Sequence, residues 1–223
     1  MKPMHLPTVE NNPGAEGAYA DLIAAVRTAG QPVSQIWHLF AYKPAMSQHL
    51  ERLTHEVMRG PSPLSAGFRE LIATLTSARN QTPFCATTHA AATTELLGDR
   101  GLVESVMRDP RTAAVSPAEK AVLTFVEKVN RECWKIGPDD FESLRTAGWS
   151  DEAIFDAIAV CALFNFYNRW VSSNGVCQMP DEGIAASGKR IAQTGYLRTD
   201  VPRSSVIAPD SVGTSNKEAA RRG

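Results

Sequence analysis

A thiol and an imidazole, Cys85 and His89, stand four residues apart in the stretch Thr82-Pro83-Phe84-Cys85-Ala86-Thr87-Thr88-His89. Thr82 is a good N-cap and Pro83 is favoured at the first helical position, so a helix is expected to begin here. Cys85 then falls at the third helical position, where backbone N–H groups lack intrahelical partners and the helix dipole is positive. His89 follows one turn on, over the same face. A helix start and a protonated imidazole both favour the thiolate, the nucleophilic form of cysteine. The competing reading is a small buried hydrophobe at 85 and a core histidine at 89. The shared register favours the reactive reading.

Other polar residues carry weaker signals. Glu70 stands near the start of the preceding helical segment, with polar Thr74 and Ser77 at helical spacing. By periodicity alone it belongs to a solvated face with a favourable helix-start charge. Asn165 and Arg169 share a face inside a long apolar segment and could line one pocket. A structural role, pairing with buried backbone or with an acid on another helix, has the edge for both. His55 and Glu56, and likewise Trp37 and His38, could border a pocket, with surface positions as the default.

The elements that must position these groups all read as helices. Apolar residues recur at helical spacing over 17–28, 34–42, 44–59 and 65–79, and again over 82–97, 100–108, 138–147, 150–175 and 181–194. Ser116-Pro117-Ala118-Glu119 is a capping box that opens a further long helix. No run of alternating β-branched residues marks a strand. The expected organisation is one helical domain over 1–197 and an extended or disordered tail over 198–223, where Ser, Pro, Asp and Arg occur without periodicity.

Composition narrows the function classes. The chain has 223 residues, 43% hydrophobic and 21% charged, with a formal net charge of −1. Such a balance gives no general attraction to nucleic acid or an anionic membrane. The N-terminal residues lack the apolar core of a secretory signal, and no apolar run is long enough to span a bilayer. The four cysteines, at 85, 133, 161 and 177, show no CxxC spacing and read as reduced thiols. A soluble, cytoplasmic protein is expected. Glu, Cys and His suit zinc, but only Cys85 and His89 have a fixed local spacing, and neither a metal nor another cofactor is expected.

The residues from Arg69-Glu70-Leu71-Ile72-Ala73 through Pro83-Phe84-Cys85-Ala86-Thr87-Thr88-His89 resemble the signature of the carboxymuconolactone decarboxylase and alkylhydroperoxidase-D-like family. That signature is a Glu, a helix, then Cys-x-x-Cys-x-x-x-His. The segments Ala118-Glu119-Lys120-Ala121 and Leu163-Phe164-Asn165-Phe166-Tyr167-Asn168-Arg169, with the opening His5-Leu6-Pro7-Thr8-Val9-Glu10, are similar to its peroxidase-related branch. The resemblance covers roughly residues 1–180. It implies an all-α fold of the alkylhydroperoxidase-D-like type, assembled as a homo-oligomer. It aligns Glu70 with the family's acidic residue, Cys85 with its second cysteine and His89 with its distal histidine. In peroxidase members these three form a proton relay around the redox pair. Thr82 occupies the place of the first cysteine, so a disulfide within this helix is impossible here.

Three functional readings follow. The favoured one is a thiol-dependent peroxidase-like antioxidant oxidoreductase. Cys85 attacks a hydroperoxide and becomes a sulfenic acid, which an external thiol reductant or a distant cysteine reduces. The second is an acid–base decarboxylase or lactone-processing enzyme on a small organic acid, with Glu70 and His89 as base and acid. The third is a non-catalytic, ligand-binding or redox-sensing oligomer. Expected catalytic residues are Cys85, His89 and Glu70, and expected substrate-binding residues are Thr82, Asn165 and Arg169.

Overall fold

The computed structural model describes residues 1–198, which form eleven α-helices and one 3₁₀ turn without a strand. Of the expected tail only Arg198 is among them, and the rest lies outside the described residues. The helices are α1 (Pro7–Glu10), α2 (Ala18–Thr28), α3 (Ile36–Tyr42), α4 (Pro44–Arg59), α5 (Ala66–Arg79) and α6 (Pro83–Leu97). They are followed by α7 (Arg100–Arg108), α8 (Pro117–Glu132), α9 (Pro138–Thr146), α10 (Asp151–Ser173) and α11 (Asp181–Thr194).

The centre of the fold is α5, buried along its length from Gly67 to Ser77. Ser65 caps it by accepting from the Phe68 N–H at 3.1 Å. Helices α6, α10, α8, α7 and α4 pack around it. The core joins Leu71, Ile72 and Leu75 of α5 to Met58 of α4, Val122, Leu123 and Val126 of α8, and Ile154, Val160 and Phe164 of α10. A helix surrounded in this way cannot show a single apolar stripe. That is why Glu70, Thr74 and Ser77, which read as a polar face, are all buried.

The reciprocal capping box at Ser116 and Glu119 opens α8 as the sequence predicts. Two short elements lie outside the sequence expectation. Helix α1 forms because the N-terminal segment is tied down: Glu10 accepts from the Met4 N–H at 2.9 Å and from Gln35 Nε2 at 2.9 Å. A 3₁₀ turn, Cys133–Lys135, closes α8. Thr82 does precede Pro83 at the start of α6, but its side chain does not cap the helix. Its hydroxyl instead faces Ser172 Oγ at 3.2 Å.

The turn between α5 and α6 sets the geometry of the site. Gln81 takes a positive φ of 51°, and the Thr82 N–H reaches back to the Ser77 carbonyl at 3.1 Å. This reversal lays α6 antiparallel along α5. Helix α11 then closes over α6 because Gly188 has no side chain: a Cβ there would lie 2.5 Å from Ala91 Cβ. Gly195, at a φ of +70°, ends α11 and turns the chain back toward α5.

Gly188→Val is therefore expected to push α11 off α6 and destabilise the protein by about 1–3 kcal/mol. Urea denaturation measures this loss, and an unchanged midpoint would contradict the close packing.

Candidate active site

A carboxylate inside the helical core needs donors, and Glu70 has three. The residue is 0% exposed. Its Oε2 lies 2.8 Å from His89 Nδ1. Its Oε1 accepts from Arg59 Nη2 and from the Tyr196 hydroxyl, each at 2.7 Å. The hydroxyl also sits 3.3 Å from His89 Nδ1. Arg59 comes from the end of α4, Glu70 from α5, His89 from α6 and Tyr196 from the segment after α11.

Burial by itself pushes the Glu70 carboxyl up. The His89 hydrogen bond and charge, the Arg59 guanidinium and the Tyr196 hydroxyl outweigh it and hold the group below the usual carboxylate range. Glu70 is thus ionised at neutral pH. The Tyr196 phenol moves the other way, raised well above its ordinary value by burial and by the Glu70 charge. With an anion beside it, His89 Nδ1 carries a proton and donates. In the neutral ring the lone pair then sits on Nε2. Phe164 packs edge-on against the imidazole, with ring centroids 4.5 Å apart.

Cys85 and His89 line one cavity of about 100 Å³, together with Trp37, Phe164, Tyr167 and Tyr196. Arg198 borders the same space, its guanidinium 5.3 Å from the Trp37 ring centroid. Cys85 is 3% exposed and packs with Phe84, Val171 and Met179. Burial pushes its thiol up to about 12, against a smaller opposing effect of a hydrogen bond with Asn168. Here the structure departs from the thiolate expected of a helix start. Hydrocarbon around the sulfur outweighs the local dipole, and the His89 nitrogen next to a partner faces Glu70.

The other expected residues sit apart from that cavity. Asn165 and Arg169 are joined, with Arg169 Nη1 donating to the Asn165 carbonyl at 3.0 Å. Asn165 belongs to a cluster with Asn80, Asn130 and Asn168 that ties the α5–α6 turn to α8 and α10. Through Asn168 this cluster reaches Cys85. Thr82 is buried beside it against Ser172. Trp37 borders the cavity, and His55 Nδ1 faces the Tyr196 N–H at 3.4 Å. Among the described residues, no group of three or more His, Cys, Asp or Glu side chains is placed to hold a metal ion. None of their helices is long and apolar enough to cross a membrane.

Sequence reasoning missed Arg59 and Tyr196. Arg59 ends an amphipathic helix, where a basic residue ordinarily serves the dipole. Tyr196 follows a glycine at the edge of an aperiodic stretch. Neither position carries a local mark of its role.

The helical arrangement and the buried Glu–His pair define a protein of the alkylhydroperoxidase-D-like fold. The AhpD core of an uncharacterized peroxidase-related protein from Ralstonia eutropha JMP134 superimposes with a TM-score of 0.66 at 26% identity, over 77% of this chain and 89% of that one. An uncharacterized peroxidase-related protein from Silicibacter sp. TM1040 gives 0.69 at 27% identity, over 84% and 98%. The debrominase Bmp8 shares the fold, with a TM-score of 0.61 at 17% identity over 78% of this chain and 91% of its own. No curated protein matches the sequence. Residues 44–128, from α4 into α8, match the model of the carboxymuconolactone decarboxylase family.

Because the fold holds the Glu70 pKa down, its stabilising effect is complete above the ordinary value of 4.5 and is lost as pH falls through the lower folded value. Glu70→Gln is expected to cost about 3 kcal/mol at pH 7, since Arg59 is left without its anion. The variant should also lose less further stability on acidification below pH 4.5 than the parent does. Thermal melts across that range decide it; parallel curves would remove Glu70 from the linkage.

Proposed function

We propose that the protein is a cytoplasmic, thiol-dependent peroxidase-like oxidoreductase that reduces hydroperoxides through Cys85. One observation carries the reading. Cys85 shares a cavity with an imidazole whose far nitrogen is held by a buried carboxylate. A nucleophile, a base and a group that orients the base are the parts of nucleophilic catalysis. A resting thiol pushed up to about 12 then requires that base. His89 Nε2 takes the thiol proton as sulfur attacks the outer peroxide oxygen. The O–O bond breaks, and the proton passes to the departing alkoxide. One thiol and one hydroperoxide become a sulfenic acid and an alcohol. Two equivalents of an external thiol then return Cys85 to the thiol, forming a disulfide and water. The cytoplasm supplies such reductants, and all four cysteines are free. In this proposal Thr82, Asn165 and Arg169 support the site indirectly, through the polar cluster that reaches Cys85 by Asn168.

A second reading, acid–base catalysis on a small organic acid, is favoured by the same raised thiol. If Cys85 stays protonated throughout, the Glu70–His89 pair is the reactive unit and sulfur is a wall of the cavity. Turnover of cumene hydroperoxide with dithiothreitol, followed by dimedone trapping and mass spectrometry, separates the two. The peroxidase reading expects a single adduct on Cys85, loss of turnover in Cys85→Ser, and a drop of about 10²- to 10⁴-fold in His89→Gln. Unmodified Cys85 after stoichiometric peroxide, with no turnover, rejects it in favour of the acid–base or a non-catalytic reading.

The homo-oligomer belongs to the same proposal, with a second copy docking on α10. Phe155 is 70% and Phe166 45% exposed, with exposed Ala162 between them. These three fall on one face of the helix, and the small side chain at 162 leaves room for a ring from a facing helix. Glu152 lies beyond one end of the stripe and Arg169 beyond the other, so an antiparallel pair of α10 helices places opposite charges together. Phe166→Glu should lower the mass measured by light scattering after gel filtration. An unchanged oligomer would show that this face is not the contact.

A further inference from the structure

Tyr196 is the one member of the Glu70 cluster that comes from outside the matched segment 44–128 and has no assigned part in the chemistry. Its backbone is fixed independently of its hydroxyl. Arg190 Nη1 donates to the Gly195 carbonyl at 3.1 Å, and the Tyr196 N–H faces His55 Nδ1 at 3.4 Å. Its ring is fixed as well. The Arg59 guanidinium lies 5.3 Å from the ring centroid, and the His89 ring is nearly parallel to it, 16° apart with centroids 6.2 Å apart.

We propose that Tyr196 is a positioning residue of the site, whose hydroxyl joins Glu70 in holding His89 in the orientation and tautomer that present an unprotonated Nε2 for base chemistry. The argument is a count of protons. A phenol has one to give, and it goes to Glu70 Oε1 at 2.7 Å. Toward His89 Nδ1, at 3.3 Å, the same oxygen therefore offers only a lone pair. Glu70 Oε2 offers another at 2.8 Å. Nδ1 stands between two acceptors and must carry the proton. The hydroxyl also occupies Oε1 together with Arg59, leaving Oε2 as the oxygen for the imidazole. Without the hydroxyl, Nδ1 has one acceptor instead of two, and the carboxylate has two donors instead of three.

The catalytic consequence rests on the proposed role of His89 as the base for Cys85; the tautomer itself does not. Tyr196→Phe keeps the ring and its backbone anchors and removes only the oxygen. In peroxide turnover, kcat is expected to fall about tenfold with KM within about twofold, the loss of one hydrogen bond to a charged group. The acid limb of the kcat profile should move up by about half a pH unit. The charged and titratable groups around Glu70 remain the same in the variant: Arg59 and His55 of α4, Arg69 of α5, His89 of α6 and Tyr167 of α10. Equal kcat and equal acid limbs in the two proteins would overturn the proposal.

Nitrogen NMR of the His89 ring tests the same inference in the resting protein, whether or not peroxide is turned over. The parent should show the proton on Nδ1, and Tyr196→Phe the same tautomer with its Nδ1–H resonance displaced, because Glu70 Oε2 is then the proton's one acceptor. A parent ring protonated on Nε2, or an Nδ1–H resonance unchanged in the variant, would overturn the role of Tyr196 while leaving the peroxidase reading to its own experiment.

Discussion

A negative charge sealed among helices is the constraint on which this site depends. Glu70 has no contact with solvent, so each of its oxygens must find its donors within the protein. One donor comes from the end of α4, one from the middle of α6, and one from the chain beyond α11. Meeting that demand brings three distant stretches of sequence to one point. The network is therefore both a structural junction and an electrostatic centre, and removing any one member takes a partner from another.

Burial pushes both Glu70 and Cys85 toward their neutral forms, and their partners decide the outcome. Glu70 is held ionised because its donors outweigh desolvation. Cys85, with a single hydrogen bond from Asn168 and hydrocarbon elsewhere, is held protonated. At rest the cavity therefore holds a neutral thiol and an imidazole oriented by a buried charge. The fold alone does not choose the chemistry. Peroxidase-related proteins and a debrominase share it.

The helices were legible in the sequence to a large degree because their boundaries are local. Ser65, Ser116 and Ser150 cap α5, α8 and α10, and Gly98 closes α6 in the left-handed conformation. The placement of Cys85 and His89 on successive turns of one helix is likewise a matter of spacing. Thr82 shows where this reasoning fails even at short range. It has the identity of a cap, but Ser172 from α10 takes its hydroxyl.

The sequence by itself determined an all-helical chain, the register of Cys85 and His89, and the candidacy of Glu70 through a resemblance. Only the tertiary structure decided that Glu70 is buried, that Arg59 and Tyr196 complete it, and that Asn165 and Arg169 join a separate cluster. It also decided that the Cys85 sulfur lies in hydrocarbon. The physical reason is that periodicity and capping act over a few residues of one helix. Desolvation and charge pairing depend on what other helices bring, and α4, α6 and the segment after α11 contribute from as far as 126 positions away along the chain.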